Sequence, residues 1–247
     1  GRVNWLGMYT LIRREIARFM TVWNQTIAAP LVTAGLFLAV FSLAIGPRRG
    51  DVMGVPFIDF LAPGILMMTV IQNSFANAAS SIVSAKVMGN IVDTLMPPLS
   101  PLEILIGYVV GGAARGLFVA LAIGVAALLI LGIEIQHPLW ALLFVVLGGV
   151  FMASLGVVAA IFANKFDQMS AISNFIVTPL SFLSGTFYSI EALPELLQRI
   201  IHVNPVFYLI DGVRYGVIGT SDSSPVLGAL VCSGATVVIM TLCWHWF

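Results

Sequence analysis

Six long apolar runs dominate this chain, at about 26–45, 57–83, 102–131, 139–162, 169–188 and 225–247. A helix needs about 20 mostly apolar residues to cross a hydrocarbon core ~30 Å thick. The third run is long enough to tilt or to project beyond the bilayer. Composition agrees: of 247 residues, 60% are hydrophobic and 9% charged, with mean hydropathy +1.04. A soluble domain carries roughly 25% charged residues, so a water-soluble fold would lack polar surface here. Soluble enzymes, nucleic-acid binders and disordered proteins are excluded on that ground. Eleven basic residues balance eleven acidic ones, leaving no net field to recruit DNA or an acidic partner. The expected fold class is an all-α integral membrane protein with six transmembrane helices.

The flanking segments add to this. Over 3–22, Trp5, Met8, Leu11, Ile12, Ile16 and Phe19 recur at helical spacing, with Arg13, Arg14 and Arg18 opposite. That pattern predicts an N-terminal amphipathic helix lying in a membrane interface, and it lacks the clean apolar core of a signal peptide. Gly1 is not a Met, so a trimmed start is expected. An inner loop over 84–101 begins helix-competent and is stopped by Pro97, Pro98 and Pro101. The outer region 186–224 holds two short apolar stretches divided by Asn204-Pro205. Neither is comfortably long enough to span, so a re-entrant helical hairpin is expected. With the N-terminus inside, Arg2, Arg13, Arg14, Arg18, Lys86 and Lys165 face the cytoplasm, against Arg48, Arg49, Arg199 and Arg214 outside. That bias favours cytoplasmic N- and C-termini.

Catalytic and metal signatures are missing. The two lysines, Lys86 and Lys165, follow Ala85 and Asn164, so neither ends a Gly-Lys-Ser/Thr phosphate loop. His137, His202 and His245 lie in separate segments. Cys232 and Cys243 are eleven residues apart, about 16 Å on a helix, beyond disulfide reach. No catalytic residue and no metal site is expected. Glu191 and Glu195 read as one solvated helix face.

Four polar features remain. Asn73, Asn77, Ser80, Ser81 and Ser84 share one face of the second run. They line either a substrate path or subunit seam, or an ordinary interhelical contact. The fifth run repeats the pattern with Ser170, Ser173, Asn174, Thr178, Ser181 and Ser184, and two facing stripes look more like a path than one does. Arg115 sits among Gly111, Gly112 and Gly116, where an unpaired charge costs several kcal/mol. It serves either an anionic headgroup, or an intrabundle salt bridge or snorkelling, and the second is the simpler expectation. Asp211 and Arg214, three apart, are expected to pair on a helix. Gly107-xxx-Gly111 and Gly112-xxx-Gly116 permit close helix approach.

The order of these elements resembles the ABC-2 type permease family, the membrane half of bacterial ATP-binding-cassette exporters, and within it the YadH-type branch. The likeness is carried by several stretches: Ala85-Lys86-Val87-Met88-Gly89-Asn90-Ile91 with Leu95-Met96-Pro97-Pro98; Gly107-Tyr108 through Arg115-Gly116; Thr178-Pro179 through Ser184-Gly185, with Phe187-Tyr188-Ser189 and Leu193-Pro194; and Asn204-Pro205 with Tyr208 and Gly212-Val213-Arg214-Tyr215-Gly216. The resemblance implies one permease domain over 1–247, in the bacterial inner membrane. Its parts would be an elbow helix (1–25), a coupling-helix loop (84–101) and a re-entrant outer hairpin (189–217) carrying Pro194, Asn204, Pro205, Asp211 and Arg214. It implies a homodimer, two copies of a separate ATPase binding ATP and Mg, and no cofactor in this chain. Runs one, two and five would surround the route, placing Asn73, Asn77, Ser81, Ser173, Asn174, Thr178 and Ser181 along it. Lys86, Asn90 and Asp93 would dock the ATPase by polar contacts, with Val87, Met88, Ile91 and Val92 as an apolar plug. The segment Lys165-Phe166-Asp167 is a candidate for a lesser contact. The family pattern departs at Phe247, which ends without a basic tail, so a missing cytoplasmic end is expected. The implied activity is export of an amphipathic substrate such as a lipid, glycolipid or hydrophobic drug. An ion-driven carrier would need intramembrane acidic or His relays, and a membrane enzyme acting on lipid would need a clustered acid/base or metal site. Neither pattern is found in the sequence. An assembly protein would leave the two polar stripes unexplained.

Overall fold

The computed structural model describes residues 5–22, 27–44, 54–87, 101–163 and 165–246. The elements are helices α1 (Trp5–Thr21), α2 (Ala29–Ala44), α3 (Phe57–Val87), α4 (Pro101–Ala126), α5 (Pro138–Phe162), α6 (Phe166–Ile172), α7 (Thr178–Leu183), α8 (Glu195–Ile201), α9 (Pro205–Ile218) and α10 (Pro225–Trp246). Four stretches among the described residues are long and apolar enough to cross a membrane: Phe57–Ser84, Leu102–Leu131, Pro138–Phe162 and Pro225–His245.

The other two apolar runs are shorter or broken. The first holds an apolar helical stretch only over Ala29–Phe41, and its flanks at 23–26 and 45–53 lie outside the described residues. The fifth divides around Pro179, which has no N–H to give the helix ladder. A π-helical turn, Ser173–Val177, joins α6 to α7. Across it the Thr178 N–H reaches the Ser173 carbonyl, five residues back. The chain then leaves the helix at Gly185, whose φ of +94° favours glycine. A second π turn, Ala127–Leu131, ends the α4 span at Gly132.

Helices α3, α4 and α5 form the centre. Their axes come close where side chains are minimal. A Cβ on Gly156 of α5 would stand 2.6 Å from the Phe75 carbonyl oxygen of α3. A Cβ on Gly112 of α4 would stand 2.8 Å from the Ala153 methyl of α5. Helix α9 lies against α3, α5 and α10, and buries most of its length, Asp211 and Arg214 included. Asn204 caps it, accepting from the Val206 N–H at 3.0 Å, with Pro205 at its first position.

Helix α1 runs along α4. Its stripe of Met8, Leu11, Glu15 and Phe19 is buried, while Arg13, Arg14 and Arg18 are exposed. A Cβ on Gly111 would lie 2.7 Å from Glu15 Cβ, and Phe19 meets Phe118 edge-on at 5.7 Å. Thus Gly111 seats α1 and Gly112 seats α5, on two faces of α4. The two small-residue motifs serve two different contacts.

Candidate functional site

The stripe on α3 spans about 100° of helix circumference, and the structure divides it. Ser80 and Asn73 are half-buried, along with Gln72 and Ala76, on the more open side. Asn77 and Ser81 are buried on the other side, at the junction with α1 and α4. There the Ser81 hydroxyl donates to Glu15 Oε2 at 2.6 Å. Arg18 donates to the Asn77 carbonyl and to Ser80 Oγ, both at 3.2 Å. Arg115 donates to Asn77 Oδ1 at 3.4 Å. The Glu15 carboxylate stands 3.9 Å from Arg18. Burial holds the Glu15 carboxyl above the usual range, against the Ser81 hydroxyl and then Arg18 and Arg14, which pull it down.

Of the salt bridge or snorkelling expected of Arg115, no salt bridge is formed among the described residues. Arg115 donates instead to the Asn77 amide oxygen, while the Glu15 carboxylate is engaged by Ser81 and Arg18. Glu15 and Arg18 were not singled out as functional from the sequence. The available signal was a Glu at i+4 from Leu11 and i−4 from Phe19, inside an otherwise apolar stripe.

The fifth-run stripe is also split. Asn174 is exposed, Ser173 and Thr178 are half-buried, and Ser181 is buried with its hydroxyl on the Val177 carbonyl at 2.9 Å. Among the described residues, the hydrogen bonds of Asn73, Asn77, Ser81 and Ser181 go elsewhere than to the opposite stripe. Nearer the other ends of α3 and α4, an open cavity of about 540 Å³ is lined by apolar residues including Leu31, Leu38, Ala62, Leu66, Ile123 and Val217. Helix α2 forms one of its walls.

Asp211 and Arg214 do not pair as expected from their spacing. Arg214 turns toward α3: its Nη2 donates to the Gly185 and Thr186 carbonyls at 2.8 and 3.1 Å, and its Nε to the Phe60 carbonyl at 3.4 Å. Its guanidinium carbon sits 4.0 Å over the Phe60 ring. Asp211 turns the other way and accepts from the Asp222 and Ser223 N–H groups at 2.8 and 2.9 Å. Asp222 in turn accepts from Ser189 Oγ at 2.6 Å. These groups tie α9 to α3, to the turn after α7 and to the loop before α10. Glu191 and Glu195 also part company. Pro194 separates the 3₁₀ turn Ile190–Ala192 from α8, and Glu195 pairs with Arg199 at 2.8 Å in the open.

Lys86 and Val87 belong to the last turn of α3. Met88, Asn90, Ile91 and Asp93 lie outside the described residues. Among the described residues, no group of three or more His, Cys, Asp or Glu side chains is placed to hold a metal.

Among the described residues, four long apolar helices around a glycine-seated core are the frame of a membrane protein. Residues 7–218 match the family described as ABC-2 type transporter, and the chain belongs to that family. It is 37% identical over 240 residues to the inner membrane transport permease YadH of Escherichia coli strain K12, covering 97% of this chain and 94% of that one. It is 25% identical over 233 residues to nodulation protein J of Neorhizobium galegae, covering 93% and 88%. The same-named protein of Rhizobium leguminosarum bv. viciae is 24% identical over 220 residues, covering 89% and 84%. The chain is therefore a transport permease of the ABC class, whose family implies an ABC ATPase as partner.

Proposed function

We propose that this chain is the membrane subunit of an ATP-driven exporter, working as a homodimer in the bacterial inner membrane. Two copies of a separate ATPase bind ATP and Mg²⁺ and dock on residues 84–101. The substrate class is amphipathic: a lipid, a glycolipid or a hydrophobic drug. One observation carries the reading. The candidate spans Phe57–Ser84 and Leu102–Leu131 have 28 and 30 residues, about 42 and 45 Å at 1.5 Å per residue. A hydrocarbon core takes ~30 Å, so both have length to spare. Spans of that length can extend past the bilayer at residues 84 and 102, which supports a docking site for a soluble motor on that side.

Closure of the ATPase pair would push this loop and so displace α3 and α4 together. The half-open polar face of α3 and the apolar cavity toward its other end offer an amphipathic cargo both kinds of surface. The outer hairpin, latched through Arg214, would close the far end. The test is Met88→Asp with Ile91→Asp. Co-purification of the ATPase and coupled hydrolysis should fall at least tenfold, about 1.4 kcal/mol, with the permease still folded. Normal recruitment by that variant would sink the docking assignment.

A further inference from the structure

Helices α1, α3 and α4 meet in a junction with more donors than acceptors. Arg18 faces the Glu15 carboxylate, and the guanidinium groups of Arg18 and Arg115 share Asn77. Arg14 adds further positive charge near Glu15. Asn77 is fully buried, yet among the described residues its Nδ2 has no partner, and neither has Arg115 Nε. An unpaired buried donor is costly, and a second anion would remove the excess.

The depth of the junction says which anion. From Phe57 to Asn77 is twenty residues of α3, and from Leu131 back to Gly111 is twenty of the neighbouring span, about 30 Å in each case. Counted from a hydrocarbon boundary at Phe57 and Leu131, that is one hydrocarbon thickness, which puts the junction at the headgroup level of the other leaflet. Arg115 stands one turn inside it, within snorkelling reach. The surface beyond Arg115 is apolar and open. Phe118, Leu121, Val125 and Leu128 are 38%, 54%, 54% and 48% exposed, and their spacing puts them on one face of α4 running into the membrane. A charged head above an apolar track is the shape of a phospholipid.

We propose that Arg18 and Arg115, gathered on Asn77, bind the phosphate of an anionic phospholipid, with an acyl chain along Phe118, Leu121 and Val125. The lipid would then hold α1 to α3 and α4. The proposal rests on the membrane reading of the chain but not on coupling to an ATPase, so lipid binding and ATPase recruitment can fail separately.

The test is native mass spectrometry of the full chain, delipidated in mild detergent and titrated with phosphatidylglycerol or phosphatidylcholine. Phosphatidylglycerol should be retained preferentially at one tight site per chain. Arg115→Gln and Arg18→Gln should each weaken that retention about fivefold, the weight of one basic residue at an anionic surface, and should reduce the headgroup preference. Arg199→Gln, on the exposed ion pair of α8, should change neither. Arg18 is partly exposed, so its variant keeps the test decisive if Arg115→Gln fails to fold. Equal loss in Arg199→Gln would mean general surface charge and overturn the site. Unchanged retention in Arg18→Gln and Arg115→Gln would leave the junction to water and overturn it as well. Displacement of the lipid by millimolar inorganic phosphate would assign the junction to a soluble anion and overturn the lipid.

Discussion

Arg214 uses two nitrogens to hold three carbonyls that lie 28, 29 and 154 residues away in sequence. Replacing it with Met would leave those oxygens buried without their donor. Each buried group left unsatisfied costs about 1–3 kcal/mol, so Arg214→Met should lose about 3 kcal/mol or more, read as a lowered midpoint of thermal unfolding in detergent. Gly64→Ala belongs to the same contact, since its Cβ would stand 2.6 Å from the Thr186 oxygen and 2.8 Å from Arg214 Nη2. Its unfolding midpoint should fall too, and an unaltered midpoint in both variants would remove the latch from the account. Glu15 gives a pH prediction. Its carboxyl titrates above the ordinary value of 4.5 when α1 is docked, so the docked form holds a proton that the detached form has released. Docking therefore tightens as pH falls through the raised value toward 4.5 and loosens above it. Protease access to α1 should rise with pH in the native chain, and Glu15→Gln should flatten that dependence. Both charges of α9 could be read from the sequence as buried charges needing partners. Their partners could not, because they are backbone groups brought in by distant turns, and spacing within a helix says nothing of those.

At the scale of the element, periodicity located the helices and missed their interruptions. The run 169–188 is apolar enough for a span, but Pro179 removes a donor, and the ladder recovers through a π turn whose i−5 bond no hydropathy pattern records. The amphipathic pattern of 3–22 places Met8, Leu11 and Phe19 correctly on the buried face of α1, but Trp5 is 72% exposed, Ile12 and Ile16 are half-buried, and Glu15 is buried among them. What that face covers was not legible, because Gly107 and Gly111 fit any close partner equally well. The structure assigns them to α1 through Leu11 and Glu15. Gly111→Val should therefore detach α1 while sparing the α3–α4–α5 centre, which uses a different face of α4, at Gly112. Overpacking of this kind costs about 1–3 kcal/mol. A disulfide between Leu11→Cys and Gly107→Cys should form in the native background and be lost when Gly111→Val is added. Persistence of the cross-link would show that α1 has another anchor.

The whole molecule is ordered along one axis by span length. Residues 57 and 131 sit at one end of the central helices, and residues 84 and 102 at the other. Two successive antiparallel spans of nearly equal length demand that Lys86 and Leu102 emerge together, and that Glu134 emerge on the far side with Asp59. The positive charges outside the spans fit a cytoplasmic position for the first pair, which is the side a motor must occupy in the proposed exporter. Single cysteines at 86, 102 and 134 can be labelled with a membrane-impermeant maleimide, since the native Cys232 and Cys243 are both buried. In inverted vesicles Lys86→Cys and Leu102→Cys should react and Glu134→Cys should not, with the reverse in intact spheroplasts. Reaction of 86 and 102 from opposite sides would break the paired-span arrangement, and with it the lipid site, whose depth depends on both helices being counted from the same surface. Reaction of both only from outside would keep the fold and invert it, leaving the loop 84–101 beyond the reach of a cytoplasmic ATPase.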